Sequence, residues 1–156
     1  MKYKESVNTI IKQGLIKNCP IDYKSIHNLI KRAFVDLKTA KRNLAEDEEC
    51  AYNYAYNAIL RSGLALMFSE GLRPDIKDKH LTIVKFTSSI LGEEFEEVIN
   101  NYDFMRRKRH HFIYEPDMPC SRKEADDAIN IATELVGIIR ELILKGNPQI
   151  TFDFEE

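Results

Sequence analysis

The densest chemistry in the chain lies at residues 106–111, where Arg106, Arg107, Lys108, Arg109, His110 and His111 follow one another. Guanidinium groups present a planar fork of donors that fits phosphate oxygens, and imidazole is the side chain that exchanges protons near neutral pH. Arg106, Arg109 and His110 are therefore candidates to converge on a phosphate. Four of the six residues carry a fixed positive charge in a chain of formal net charge −2, so the basic patch is local. Such a patch suits contacts to RNA phosphates, whereas no overall positive field supports bulk nucleic-acid binding.

Helical geometry decides which of these groups point inward. At about 100° per residue, Phe95, Val98, Tyr102, Met105, Phe112 and Ile113 share one apolar stripe. Arg109 falls near the middle of that stripe and Arg106 inside its margin. His110 sits at the edge, His111 points to the opposite side, and Arg107 and Lys108 lie off the stripe, facing solvent. An arginine within a buried stripe is costly unless an internal carboxylate pairs with it or it faces a polar cavity. Both outcomes fit the spacing. Phe104 lies off the stripe beside the charges, which suggests that residues 95–115 of two chains approach each other as a homodimer.

The elements that must hold this segment are helical. Ile26, Ile30, Ala33, Leu37, Ala40 and Leu44 repeat at intervals of three and four, an amphipathic helix over residues 23–46. Asp47, Glu48 and Glu49 open a second helix, where the dipole favours acidic groups, and Gly71 with Pro74 closes it. Its small and aromatic residues, including Ala51, Tyr52, Ala55, Tyr56 and Ala58, cover most of its circumference and make it the most buried helix. Residues 72–79 read as a loop, followed by a shorter helix ending at Gly92. The helix carrying the basic patch must end or kink at Pro116. Ser121 and Glu124 form a capping box for a last helix whose stripe is Ala125, Ala128, Ala132, Leu135, Ile139 and Leu142. The first 20 or so residues read as a weaker helix, and residues 146–156 as a loosely attached tail. The fold class is all-α: a single-domain antiparallel up-and-down bundle of four long helices with one or two accessory ones, its core at residues 23–145.

Composition narrows the field. A chain of 156 residues, 44% hydrophobic and 31% charged, forms one ordinary soluble domain. No apolar run approaches the ~18 residues that suggest a membrane span, and MKYKESVNTI is too polar for a signal peptide. Cys19, Cys50 and Cys120 are odd in number and widely spaced, which fits a reducing cytoplasm. Neither a phosphate-binding P-loop nor a dinucleotide-binding glycine pattern occurs. No Glu-x-x-His pair supports a di-metal bundle, so no metal or cofactor is expected. His27 and His80 read as exposed surface residues, and Glu48, Glu49, Glu93, Glu94, Glu96 and Glu97 as solvated helix starts. Arg73 is explained equally well by an anion contact and by a helix-terminating loop.

Two segments, AYNYAYNAILRSGLALMFSEGLRP and MRRKRHHFIYEP, carry a resemblance to the HEPN domain of prokaryotes, with its A-Y-x-A helix and later Arg-x-x-x-x-His helix. The likeness spans roughly residues 23–145. It implies an antiparallel helical bundle that dimerises through the motif helix. It also implies either a metal-independent ribonuclease, often a toxin encoded beside a small nucleotidyltransferase antitoxin, or a relative that only binds nucleotides or proteins. In active members the motif arginine stabilises charge developing on phosphorus, and the histidine assists proton transfer as the 2′-hydroxyl attacks.

Two registers carry the motif over. Arg106 with His111 spells Arg-x-x-x-x-His directly. Arg109 has the better buried position, is followed by His110 where the family often has Asn, and places Tyr114 at the histidine position. A phenol, with an ordinary pKa of about 10, is a poor general base. Some members carry a modified tyrosine two residues past the motif histidine; those positions here are Ile113 and Pro116. The candidate residues are thus Arg106, Arg109, His110, His111 and Tyr114. Three functions compete: a non-catalytic or weakly catalytic nucleotide-, RNA- and partner-binding module of a toxin–antitoxin system, a metal-independent endoribonuclease toxin, and a plain helical dimerisation protein. The last leaves Arg109 unexplained.

Overall fold

The computed structural model describes residues 2–154. Helix α1 spans Lys2–Lys12 and α2 spans Tyr23–Asn43, the latter capped by Asp22, whose carboxylate accepts from the backbone N–H of Lys24 and Ser25. The spacing of α2 does what it predicts: Ile26, Ile30, Ala33, Leu37 and Ala40 are all buried. Helix α3, Glu48–Ser69, begins where Asp47 accepts a hydrogen bond from Cys50 N at 2.9 Å. It buries Ala51, Tyr52, Ala55, Tyr56, Ala58 and Ile59 and packs extensively on α2. Its alanines leave room for the neighbouring backbones, which is why the helix can be covered on several sides.

Beyond α3 the chain departs from its expected course. Gly71 takes a φ of +70°, a turn that side chains rarely allow, and residues 72–79 are not simply a loop. Leu72–Pro74 forms strand β2, antiparallel to β1 at Ile16–Asn18, with Ile16 opposite Pro74 and Asn18 opposite Leu72. At three residues each, the strands are too short to show an alternating pattern. Flanking contacts hold them, including Asp75 N donating to the Leu15 carbonyl at 2.8 Å and Lys17 paired with Asp75 at 3.3 Å.

Helix α4, Lys79–Leu91, crosses α3 at Gly63. A Cβ at that glycine would lie 2.6 Å from Cγ2 of Ile83 and 3.1 Å from Oγ1 of Thr87, so the helices meet backbone to side chain. A single 3₁₀ turn at Glu93–Phe95 leads into α5, Glu96–Tyr114. The last helix, α6 at Arg122–Gly146, carries the expected capping box: Ser121 Oγ accepts from Glu124 N at 3.0 Å, and Glu124 Oε1 accepts from Ser121 N at 3.2 Å. Four long helices, α2, α3, α5 and α6, thus enclose one core, with α1, α4 and the small sheet on a second cluster around Ile10, Ile16, Ile83 and Phe86. Among the described residues no helix is long and apolar enough to cross a membrane.

The tail is attached, contrary to expectation. Ile150 is buried, Phe152 and Phe154 pack against the second cluster, and Gln149 donates to the Tyr23 hydroxyl at 2.6 Å. His27 is likewise not a free surface residue. Its side chain is 23% exposed, its ring lies against Phe152 and Phe154, and its Nε2 is 2.6 Å from Asp153. The partners of His27 come from the far end of the sequence, so its local neighbours Ser25, Asn28 and Lys31 gave no sign of them.

Among the described residues one charged side chain lies wholly inside. Asp36 of α2 is 0% exposed, with Arg61 Nε at 2.7 Å and Arg32 Nε at 3.3 Å. Burial pushes its carboxyl above the ordinary carboxylate value even though both guanidiniums pull it down.

Candidate functional site

The inner face of α5 is built from Val98, Ile99, Tyr102, Met105 and Phe112, and Arg109 stands on that face between the last two. Its position follows from helical phase: Tyr102, Met105, Arg109 and Phe112 recur every three or four residues. Arg109 finds no carboxylate within ion-pair distance among the described residues. Its guanidinium carbon instead lies 5.3 Å from the centre of the Tyr56 ring, and its buried Nε has no hydrogen-bond partner. A cation over an aromatic face is held by the ring quadrupole while its charge stays uncancelled.

Tyr56 is 0% exposed, and its hydroxyl lies 2.9 Å from Nδ1 of His80. Burial raises the phenol to about 12, against the opposing pull of Arg109 and Arg106. His80 moves the other way. Burial, then the charges of Arg109, Lys79 and Arg106, hold it below the ordinary imidazole value. Its place in the first turn of α4 acts in the same direction, because the positive end of a helix opposes a cation there.

His80, Arg106, Arg107, Arg109, His110, His111 and Ile113 line a cleft of about 450 Å³. No carboxylate is among these lining residues. Asp103 stands one turn behind, 3.0 Å from Arg106 Nε and 3.4 Å from Arg107 Nε, and it balances part of their charge. A larger groove of about 790 Å³ runs along Gly137, Ile138 and Leu142 of α6, but its polar residues, Glu134, Glu141 and Lys145, form no convergent set. Chemistry is concentrated in the smaller cleft. Among the described residues no three His, Cys, Asp or Glu side chains gather as metal ligands.

The sequence-derived candidates divide. Arg106 and Arg109 are half-buried, and both line the cleft with His110 and His111. His110 is exposed with its ring 4.4 Å from that of Tyr114, and His111 Nδ1 pairs with Glu115 at 3.2 Å. Tyr114 is 69% exposed and is not among the cleft-lining residues. Phe104 is exposed, as its phase required.

Three expectations need correction. Ile113 is exposed rather than part of the stripe, because burial is centred on the side of Met105 and Phe112, which turns Ile113 outward. Lys108 is not simply solvated: its long chain reaches Glu124 of α6 at 3.2 Å and passes 5.7 Å from the Phe112 ring centre. His80 is not a surface residue but part of the cleft wall. Its sequence neighbours Lys77 and Lys79 suggested solvent, and its partner Tyr56 lies 24 residues earlier in another helix. The available signal was Tyr56 itself, since a buried tyrosine hydroxyl requires a partner.

The HEPN domain matches residues 26–142, a span that includes α3, α4, α5 and the whole cleft lining. No curated protein and no solved structure matches the chain.

Proposed function

The chain belongs to the HEPN domain family, and from that premise we propose that its cleft binds the phosphate groups of a nucleotide or of RNA, with catalysis absent or weak. The observation that carries this reading is Arg109: a guanidinium fixed on Tyr56 with no carboxylate among the described residues to cancel it, in a wall lined by further cations and imidazoles. Groups of that kind attract an anion from outside and offer it several donors. Exposed Tyr114, outside the lining, supports binding over cleavage in the Arg109 register. The binding module acts as a homodimer joined near exposed Phe104, and its partner is a small nucleotidyltransferase of toxin–antitoxin type.

A short 5′-hydroxyl single-stranded RNA, titrated in EDTA, tests the reading. Wild type is expected to bind it without cutting, and Arg109→Ala to weaken binding about tenfold or more, the scale of one charge-assisted hydrogen-bonding group. Unchanged affinity in Arg109→Ala removes the proposal.

A second reading, a metal-independent endoribonuclease, is favoured by one observation: Arg106 and His111 line the same cleft. It requires cleavage that leaves a 2′,3′-cyclic phosphate and disappears in His111→Ala. Light scattering that finds only an 18.2 kDa species at micromolar concentration removes the homodimer.

A further inference from the structure

We propose that His80, from a helix outside the basic segment, is a ligand-binding group of this cleft, donating to a phosphoryl oxygen through Nε2, and that Tyr56 is the positioning residue that sets its tautomer. The inference rests on the anion-binding reading of the cleft and adds to it a residue and a protonation state.

The tautomer follows from counting hydrogen-bonding partners around Tyr56. Its hydroxyl is inside the core at 0% exposure and, among the described residues, has one neighbour within hydrogen-bond distance, His80 Nδ1 at 2.9 Å. The ring of Tyr102 is nearby, with centroids 6.0 Å apart, but the Tyr102 hydroxyl makes no hydrogen bond. If Nδ1 carried a proton, it would donate to the phenol oxygen and leave the phenol O–H unpaired in the core, a loss of roughly 1–3 kcal/mol. The arrangement that satisfies both groups has Tyr56 donating to a bare Nδ1. The ring proton then sits on Nε2, the nitrogen turned away from Tyr56, which has no partner among the described residues and is not a buried orphan. His80 lines the cleft, so that N–H is the group it offers a ligand.

The electrostatics agree with this arrangement. The charged groups facing His80 from the packed helices are Arg109 and Arg106 on α5 and Lys79 on its own helix, and all three oppose a further positive charge. Tyr56, on α3, keeps its own proton because burial raises it to about 12. A single buried tyrosine therefore holds two walls of the cleft: Arg109 lies on its ring face and His80 on its hydroxyl.

The chemical consequence separates His80 from an acid–base role. With Nδ1 occupied as an acceptor and Nε2 protonated, the ring has no free lone pair with which to take a proton from a 2′-hydroxyl. It acts as a neutral electrophile beside two guanidiniums. The ligand class is a phosphoryl group, whether the terminal phosphate of a free nucleotide or an internal phosphodiester of RNA.

Nitrogen-15 NMR of the imidazoles, together with binding of AMP and of a short 5′-hydroxyl single-stranded RNA, tests the proposal. His80 is expected to titrate below an ordinary imidazole and, in its neutral form, to carry its proton on Nε2, while Tyr56→Phe, which keeps the ring under Arg109, loses that fixed tautomer. His80→Ala should weaken the preferred probe about tenfold, and His80→Gln, which restores a donor, should recover most of the loss. AMP as the tighter probe assigns the terminal phosphate, and RNA assigns the diester. A proton on Nδ1, ordinary imidazole titration, or wild-type affinity in His80→Ala while Arg109→Ala loses binding overturns the role of His80 alone. No binding of either probe by wild type overturns this role and the anion reading together. Should Tyr56→Phe fail to fold, the wild-type tautomer and the His80 pair still decide.

Discussion

Two arginines reach toward the bundle interior and meet opposite surroundings. Arg61 of α3 brings Nε to 2.7 Å from the buried carboxylate of Asp36, and Arg32 approaches the same group from its own helix. That charge is answered within the chain, and the result is a tie between α2 and α3. Arg109 of α5 meets no carboxylate among the described residues and rests on the face of Tyr56. The difference teaches how to separate a structural cation from a candidate ligand-binding one. Partial burial is common to both, and what distinguishes them is whether an anion of the protein already occupies the place in front of the guanidinium.

The largest effect on stability is expected where the tie is broken. Arg61→Met leaves Asp36 buried beside Arg32 alone and should destabilise the fold by about 3 kcal/mol at neutral pH, read from urea unfolding. Because the folded Asp36 carboxyl already lies above its ordinary 3.8, its contribution is fully present below that value and is lost as pH rises through the folded value. Removing Arg61 raises the folded value further, so the variant's deficit should shrink on acidification. A deficit that grows toward pH 4 would contradict the assignment.

Arg109→Ala should show the reverse pattern, with anion binding down about tenfold and stability lower by no more than about 1 kcal/mol, the scale of a partly exposed cation–π contact. Comparable stability losses in the two variants would erase the contrast. A smaller effect belongs to salt: if Arg109 contacts one phosphate, its removal should reduce the log–log salt slope for single-stranded RNA by about 0.7. Smallest of all is Lys123→Ala. The Lys123–Asp127 pair at 2.9 Å is exposed on both sides, so neither Tm nor RNA affinity should move measurably.

Those contrasts also mark what the sequence could disclose. The three-and-four spacing of α2 and α6, the Ser121–Glu124 cap and the inward phase of Arg109 are local signals, and the structure bears out each of them. They depend on residues within a few turns of one another. The β1–β2 pairing, the His27–Asp153 contact and the Tyr56–His80 bond join positions far apart in the chain, and no periodicity encodes such a meeting. Lys108 shows a further limit, since helical phase places a Cβ but a long side chain can bend back to Glu124. The legible part of the candidate cleft is therefore the wall contributed by neighbouring residues of α5. The place of His80 in the other wall, held by buried Tyr56, is tertiary and was not legible.

Gly63 gives the packing a genetic consequence. Its missing Cβ sets the spacing between α3 and α4, and Ile83, which would meet that Cβ at 2.6 Å, is fully buried with little freedom to yield. His80 lies about one turn before Ile83 on the same helix. Enlarging Gly63 to alanine should therefore displace α4 and carry His80 off the Tyr56 hydroxyl. A mutational scan scored by ligand capture would then return Gly63 beside Arg109, although it is not among the cleft-lining residues, and its phenotype would be an error of spacing rather than of recognition.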